Sequence, residues 1–162
     1  MKTKSQKRKG NLPGSQHMRC PYCGSTVHLR SANGIYRYNN ENTLLYVCSQ
    51  YPVCDSYVRV HPGTKIPVGS LANAELRALR LTAHRHFDKL YKTGLMSKND
   101  AYNWLSFILQ SPLSQAHIGY QNEYHCNLII RESNKMLDNF SWKLKNNTGL
   151  GTFTGGDCHA AQ

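Results

Sequence analysis

Four cysteines in two close pairs, Cys20-Pro-Tyr-Cys23 and Cys48-Ser-Gln-Tyr-Pro-Val-Cys54, constrain the first third of this chain more than anything else in it. Two thiolates separated by two residues can both reach one tetrahedral ion, and Gly24 permits the tight turn beneath them. The segment from Gly24 to Val47 is long enough for a hairpin that brings the second pair to the first. The pattern predicts one zinc ion held by Cys20, Cys23, Cys48 and Cys54. A shell closed by four thiolates leaves no open position for water or substrate, so the predicted role is structural. His17, His28 and His61 lie close enough to replace a thiolate, but four cysteines suffice. A disulfide or a redox dithiol is the weaker reading, because no secretory signal precedes the pairs. Iron–sulfur coordination fits the flanking ribbon-like strands less well than zinc does.

The rest of the ribbon follows from local text. Thr26–Arg30, Ile35–Tyr38, Leu44–Val47 and Tyr57–Val60 are short β-prone runs, and Asn33-Gly34 between the first two is a hairpin signal. His61–Ser70 (HPGTKIPVGS) reads as a Pro/Gly linker. Beyond it the hydrophobic period turns helical. Ala72, Leu76, Leu79, Ala83, Phe87 and Leu90 form one stripe, with Gly94 as its stop. Ser97 with Asp100 resembles a capping box before a second helix, whose Ala101, Trp104, Leu105 and Ile108 share a face and which ends at Ser111-Pro112. A third helix is predicted from about Asn122 to Leu137, with Cys126 on its buried stripe. The expected fold is therefore a small α+β protein: a disordered basic arm over residues 1–18, a four-cysteine zinc ribbon of short antiparallel strands over 19–61, a linker over 62–70, a three-helix unit over 71–138 and a loose tail over 139–162. His117 is expected to cap or hydrogen-bond a helix end. In the tail, Cys158-His159 reads as a free thiol rather than a metal pair.

Charge narrows the partner. The chain of 162 residues carries 20 Lys plus Arg against 9 Asp plus Glu, a formal net charge of +11. Four thiolates and one Zn²⁺ together contribute −2, which leaves the holo protein at +9 and still strongly basic. Six of the basic residues (Lys2, Lys4, Lys7, Arg8, Lys9 and Arg19) fall before Cys20. A polyanionic partner is the plain expectation. No apolar run approaches the roughly 18–20 residues of a membrane span, so a cytoplasmic chain is expected.

The motifs bear two resemblances. Cys-Pro-x-Cys-Gly followed by Cys-Ser-x-Tyr-Pro-x-Cys resembles the C-terminal zinc ribbons of bacterial type I topoisomerases over about Cys20–Val58. Those ribbons bind single-stranded DNA by stacking and basic contacts, which the resemblance implies as a possibility here. Nothing in the chain resembles the topoisomerase catalytic core. A longer stretch is similar to a family described as a zinc-finger-containing domain, found in bacteria, phages and mobile elements. The match is carried by HPGTKIPVGSLANAELRALRLTAHRHFDKLY, MSKNDAYNWL and AHIGY, in the same order, from about Cys20 to Leu137. It implies a fold and a zinc ion, and no activity comes with it.

Two candidate nucleic-acid surfaces emerge from the residues. Tyr36 and Tyr38 alternate onto one face of the expected second strand, close to Arg30 and Arg37, where they can stack bases. The competing reading is that tyrosines complete a thin core. On the first helix, Arg77, Arg80 and His84 lie beside the apolar stripe with Asp88 and Tyr91, a row that can hold phosphates or simply face solvent. The leading expectation is low-specificity binding of nucleic acid, with single-stranded DNA the favoured form. The alternative is an adaptor docking on a replication or transcription enzyme. A nuclease using His84 and Asp88 is the weakest reading, because no further convergent group can be placed. No small-molecule substrate is evident.

Overall fold

A computed structural model describes residues 18–147. The expected basic arm and the cysteine at 158 lie outside the described residues, apart from the arm's last position. The elements are β1 (Val27–Ser31), β2 (Leu44–Cys48), β3 (Tyr57–Arg59), α1 (Ala74–Lys92), α2 (Lys98–Ile108), a 3₁₀ turn at Ile118–Tyr120, and α3 (Glu123–Asn147). This is the expected small α+β architecture, an antiparallel ribbon followed by three helices. By contacts the chain divides into two units. One holds the residues up to Arg80 together with His117–Glu123; the other holds Leu81–Ala116 and the residues from Tyr124 onward.

In the first unit, β1, β2 and β3 form an antiparallel sheet in that order. The central strand reads Leu-Leu-Tyr-Val-Cys because it is covered on both faces. One face packs Val27, Tyr46, Cys48 and Val58 with Cys20, Val60 and Leu71. On the other, Leu45 and Val47 pack with Ala32 under Ile35, Tyr36, Tyr51 and Tyr57. Residues 62–70 are not a free linker. The His61 N–H donates to the Ile66 carbonyl and the Val68 N–H to the Arg59 carbonyl, so the chain folds back along β3. Pro67, which has no N–H, occupies a bridge opposite Val60, and Val68 supplies the donor. A second bridge pairs Tyr57 with Ala72.

The expected strand Ile35–Tyr38 does not form. Asn33-Gly34 does make a turn, with Gly34 at φ +78°. Ile35 and Tyr36 then turn inward onto Leu45 and Val47 instead of pairing as a strand. The Asn39 side chain holds the return. Its amide donates to Ser31 Oγ and Asn33 Oδ1, and its Oδ1 accepts from the Thr43 N–H. Local polar bonding of this kind competes with ladder pairing.

The helix boundaries follow their caps. Asn73 Oδ1 accepts from the Leu76 N–H at the start of α1, and Gly94 ends it at φ +76°. Ser97 accepts from the Asp100 N–H and donates its hydroxyl to the Asp100 carboxylate. In the second unit Ala83, Phe87, Leu90, Ala101, Leu105, Cys126, Ile129 and Ser133 are fully buried. Trp104 is half-buried and stacks on Phe87 with centroids 6.5 Å apart. α3 runs to Asn147, ten residues past the helix end expected at about Leu137 and into the expected loose tail. Phe140 in that stretch is half-buried and residues 141–146 are exposed; it carries no Gly or Pro to interrupt helical hydrogen bonding. His117 sits at the start of the 3₁₀ turn but makes no side-chain cap; its backbone carbonyl accepts from the Tyr120 N–H and the Gln121 side-chain amide.

Candidate metal centre and the basic face of the ribbon

The sulfurs of Cys20, Cys23, Cys48 and Cys54 all lie within 4.8 Å of one another. The Cys20–Cys54 and Cys23–Cys48 separations are 3.6 and 3.4 Å. Four sulfurs about 2.3 Å from a tetrahedral ion stand about 3.8 Å apart, so the cluster fits zinc. A disulfide requires about 2.05 Å, and the four cysteines are unpaired. Each knuckle is set by its own backbone. The Gly24 N–H donates to the Cys20 carbonyl with Gly24 at φ +71°, and the Cys20 N–H donates to the Ser25 carbonyl. In the second knuckle the Tyr51 N–H reaches the Cys48 carbonyl, the Cys54 N–H reaches Gln50, and the Gln50 N–H points at Cys48 Sγ.

One outer partner escapes sequence reasoning. Ser56 is fully buried, with its hydroxyl 2.9 Å from Cys20 Sγ and 3.4 Å from Cys54 Sγ. Burial raises the Cys20 thiol, but the Ser56 hydroxyl and the N–H groups of Tyr22 and Cys23 outweigh it and bring the thiol below its ordinary value. The hydroxyl and N–H of Ser25 lower Cys23 to about 6. Burial pushes Cys48 up to about 12. Ionisation of Cys48 therefore depends on the ion itself, which deprotonates a coordinating thiol outright.

The residues expected to hold nucleic acid separate into three groups. Arg77 is internal. Its guanidinium lies 3.7 Å over the Tyr57 ring, donates to the carbonyls of Asp55 and Ala72, and pairs with the Asp55 carboxylate at 3.3 Å. The same carboxylate oxygen accepts from the Ala74 N–H, so Asp55 ties the second knuckle to the first turn of α1. Arg80 is buried and donates to the Gln121 carbonyl, the Ser70 carbonyl and Ser70 Oγ. These two arginines hold the fold and do not form a cationic strip. Burial lowers His84, with Asp88 partly offsetting it, so its neutral imidazole is favoured. Asp88 is engaged by the Tyr91 hydroxyl and Lys92.

The ribbon retains the others. Arg30 and Arg59 both stand opposite Leu45 in register, one on each side of it, and therefore share its face. His28, Val47 and Tyr57 form the next row. Both arginines are exposed, and neither has an ion pair among the described residues. Tyr36 is half-buried, edge-on to Tyr57 at 6.1 Å, and burial raises its hydroxyl. Tyr38 is 72% exposed with Arg37 over its ring at 5.5 Å. The two tyrosines therefore do not share a sheet face. Arg59 was the signal missed: one alternating step from Tyr57 puts it beside Leu45.

Among the described residues no helix is long and apolar enough to cross a membrane. No curated protein and no solved structure matches the chain. The family model of a zinc-finger-containing domain matches residues 16–136, a span that takes in all four ligands, the folded-back segment after β3 and most of the helices, and the chain belongs to that family.

Proposed function

We propose that this zinc-binding protein binds nucleic acid, single-stranded in preference to duplex, on the Leu45 face of its ribbon, with the zinc purely structural and no reaction catalysed. The observation that carries the reading is the row Arg30–Leu45–Arg59, two exposed guanidiniums without an ion pair among the described residues, flanking a buried leucine on a stapled sheet. Tyr38 and Arg37 supply an exposed ring and a further cation in the loop joining β1 to β2. Phosphate neutralisation gives affinity that falls with salt, and an exposed ring adds sequence-tolerant stacking. Phosphate contacts and ring stacking read no base pattern, which accords with low sequence specificity.

The test is binding of single-stranded and duplex DNA across a salt series. Loss of two phosphate contacts in Arg30→Gln/Arg59→Gln lowers the single-strand salt slope by about 1.4. Tyr38→Ala costs about 1–3 kcal/mol on single strands and less on duplex. An unchanged slope in the double variant, or no binding at low salt, overturns the reading. A second reading, an adaptor for a protein partner, is favoured by the exposed Phe107 at the end of α2. Co-purification of a partner that survives nuclease treatment and is lost in Phe107→Ser supports it.

A further inference from the structure

A cleft of about 540 Å³ opens where β2 begins and β3 ends, between residues 41–44 and residues 59–65. We propose that it binds the phosphate-bearing end of a nucleotide, either a free mononucleotide or the terminal nucleotide of a strand. The proposal deepens the nucleic-acid reading and rests on it for the choice of ligand.

Three observations carry it. The volume lies within the range of small-ligand sites. The cleft's wall is built, not loose. Tyr46, buried in the sheet, donates its hydroxyl to the Lys65 carbonyl at 3.0 Å. The Thr64 hydroxyl donates to the His61 carbonyl at 2.9 Å and accepts from the Ile66 N–H at 3.0 Å. The Thr64 N–H also reaches the His61 carbonyl. A turn cross-linked in this way loses little freedom on binding.

The third observation is the distribution of charge. Arg59, His61 and Lys65 line one side, and neither Arg59 nor Lys65 has an ion pair among the described residues. A guanidinium and an ammonium together suit a phosphate with several oxygens. Glu41 and Asn42 line the other side. A carboxylate repels a bare phosphate but accepts from hydroxyl or amino groups, so the two sides together call for a ligand anionic at one end and rich in donors at the other. A sugar or base joined to a phosphate has that character. The aliphatic surfaces of Leu44 and Val60 lie between.

The experiment uses the full zinc-loaded chain and calorimetry. Its probes are thymidine, thymidine 5′-monophosphate, and a short thymidine oligonucleotide with and without a 5′-phosphate. The monophosphate is expected to bind about tenfold or more tighter than thymidine, and Lys65→Gln to remove most of that advantage at unchanged zinc content. A matching advantage for the 5′-phosphorylated oligonucleotide places the strand end in the cleft; an advantage confined to the mononucleotide supports the free nucleotide. If the phosphate changes neither affinity, or if Lys65→Gln leaves its advantage intact, the proposal is overturned. Arg59 borders both sites, so the Leu45 face is read separately through Arg30, which lies outside the cleft. Absence of 5′-hydroxyl oligonucleotide binding, or its indifference to Arg30→Gln, with mononucleotide binding intact sinks the nucleic-acid reading and leaves the cleft standing.

Discussion

Ser56 shows how a single buried hydroxyl governs the metal site. Its backbone carbonyl accepts from the Cys48 N–H whatever its side chain is, so Ser56→Ala removes only the oxygen facing Cys20 and Cys54. Loss of an outer-shell partner of this kind lowers zinc affinity about 10- to 100-fold, measured by competition with a chelator, while the ribbon remains folded at saturating zinc. An unchanged affinity would show that the thiolates need no help from the hydroxyl. The ligands were legible in the sequence because cysteine spacing is itself coordination chemistry. Ser56 was not, since nothing in Asp-Ser-Tyr marks a residue that turns inward onto a thiolate 36 positions away. Arg77 and Arg80 failed for the same reason. Helical spacing assigns them a side of α1, but only tertiary structure supplies Asp55, Ser70 and Gln121 as partners.

At the scale of elements, the segments around Gly69 and Gly119 depend on a close approach that only glycine allows. A Cβ on Gly69 would stand 2.1 Å from the Gly119 carbonyl oxygen, and one on Gly119 would stand 2.6 Å from the Val68 oxygen. The Ser70 N–H donates to that Gly119 carbonyl, and Arg80 spans from Ser70 to Gln121. Gly69→Ala forces backbone against backbone, and its expected cost is about 1–3 kcal/mol or more, read as a lower denaturant midpoint with zinc stoichiometry unchanged. Ser70→Ala, which loses one Arg80 bond and adds no clash, costs less. These matching glycines explain why VGS and HIGY each carry a glycine, though the sequence alone shows only two isolated ones. The ribbon's central strand was legible from its unbroken apolar run. The first, third and fourth expected runs lie where they were expected; the second does not, because an Asn-Gly turn specifies a reversal and says nothing about whether the next residues find a ladder or a core.

For the whole molecule, the ion and the ribbon's core are one structure. Cys20 and Cys48 belong to the same apolar cluster as Val27, Tyr46 and Val58, and the four ligands precede β1, end β2 and precede β3. A sheet whose third strand has three residues cannot bury enough surface alone, so chelation is expected to unfold the ribbon. Zinc binding must then follow pH with a definite sign. Zinc takes thiolates, so protons compete with it and affinity rises with pH. In the unfolded, zinc-free ribbon the thiols have lost their native burial and hydrogen bonds and ionise at about 8.5. As pH falls below that value each ligand meets the ion as a thiol and gives up its proton, up to about four per zinc bound. The plot of log affinity against pH therefore steepens below about pH 8, and calorimetry in two buffers of different ionisation enthalpy counts the protons directly. Clearly fewer than about four protons per zinc near pH 7 would mean that the zinc-free ribbon stays folded, with the lowered Cys23 thiol already ionised. Because Asp55 follows the last ligand directly and accepts from the first turn of α1, acid release of zinc should also loosen that turn, seen as concerted loss of strand and helix signal as the pH is lowered.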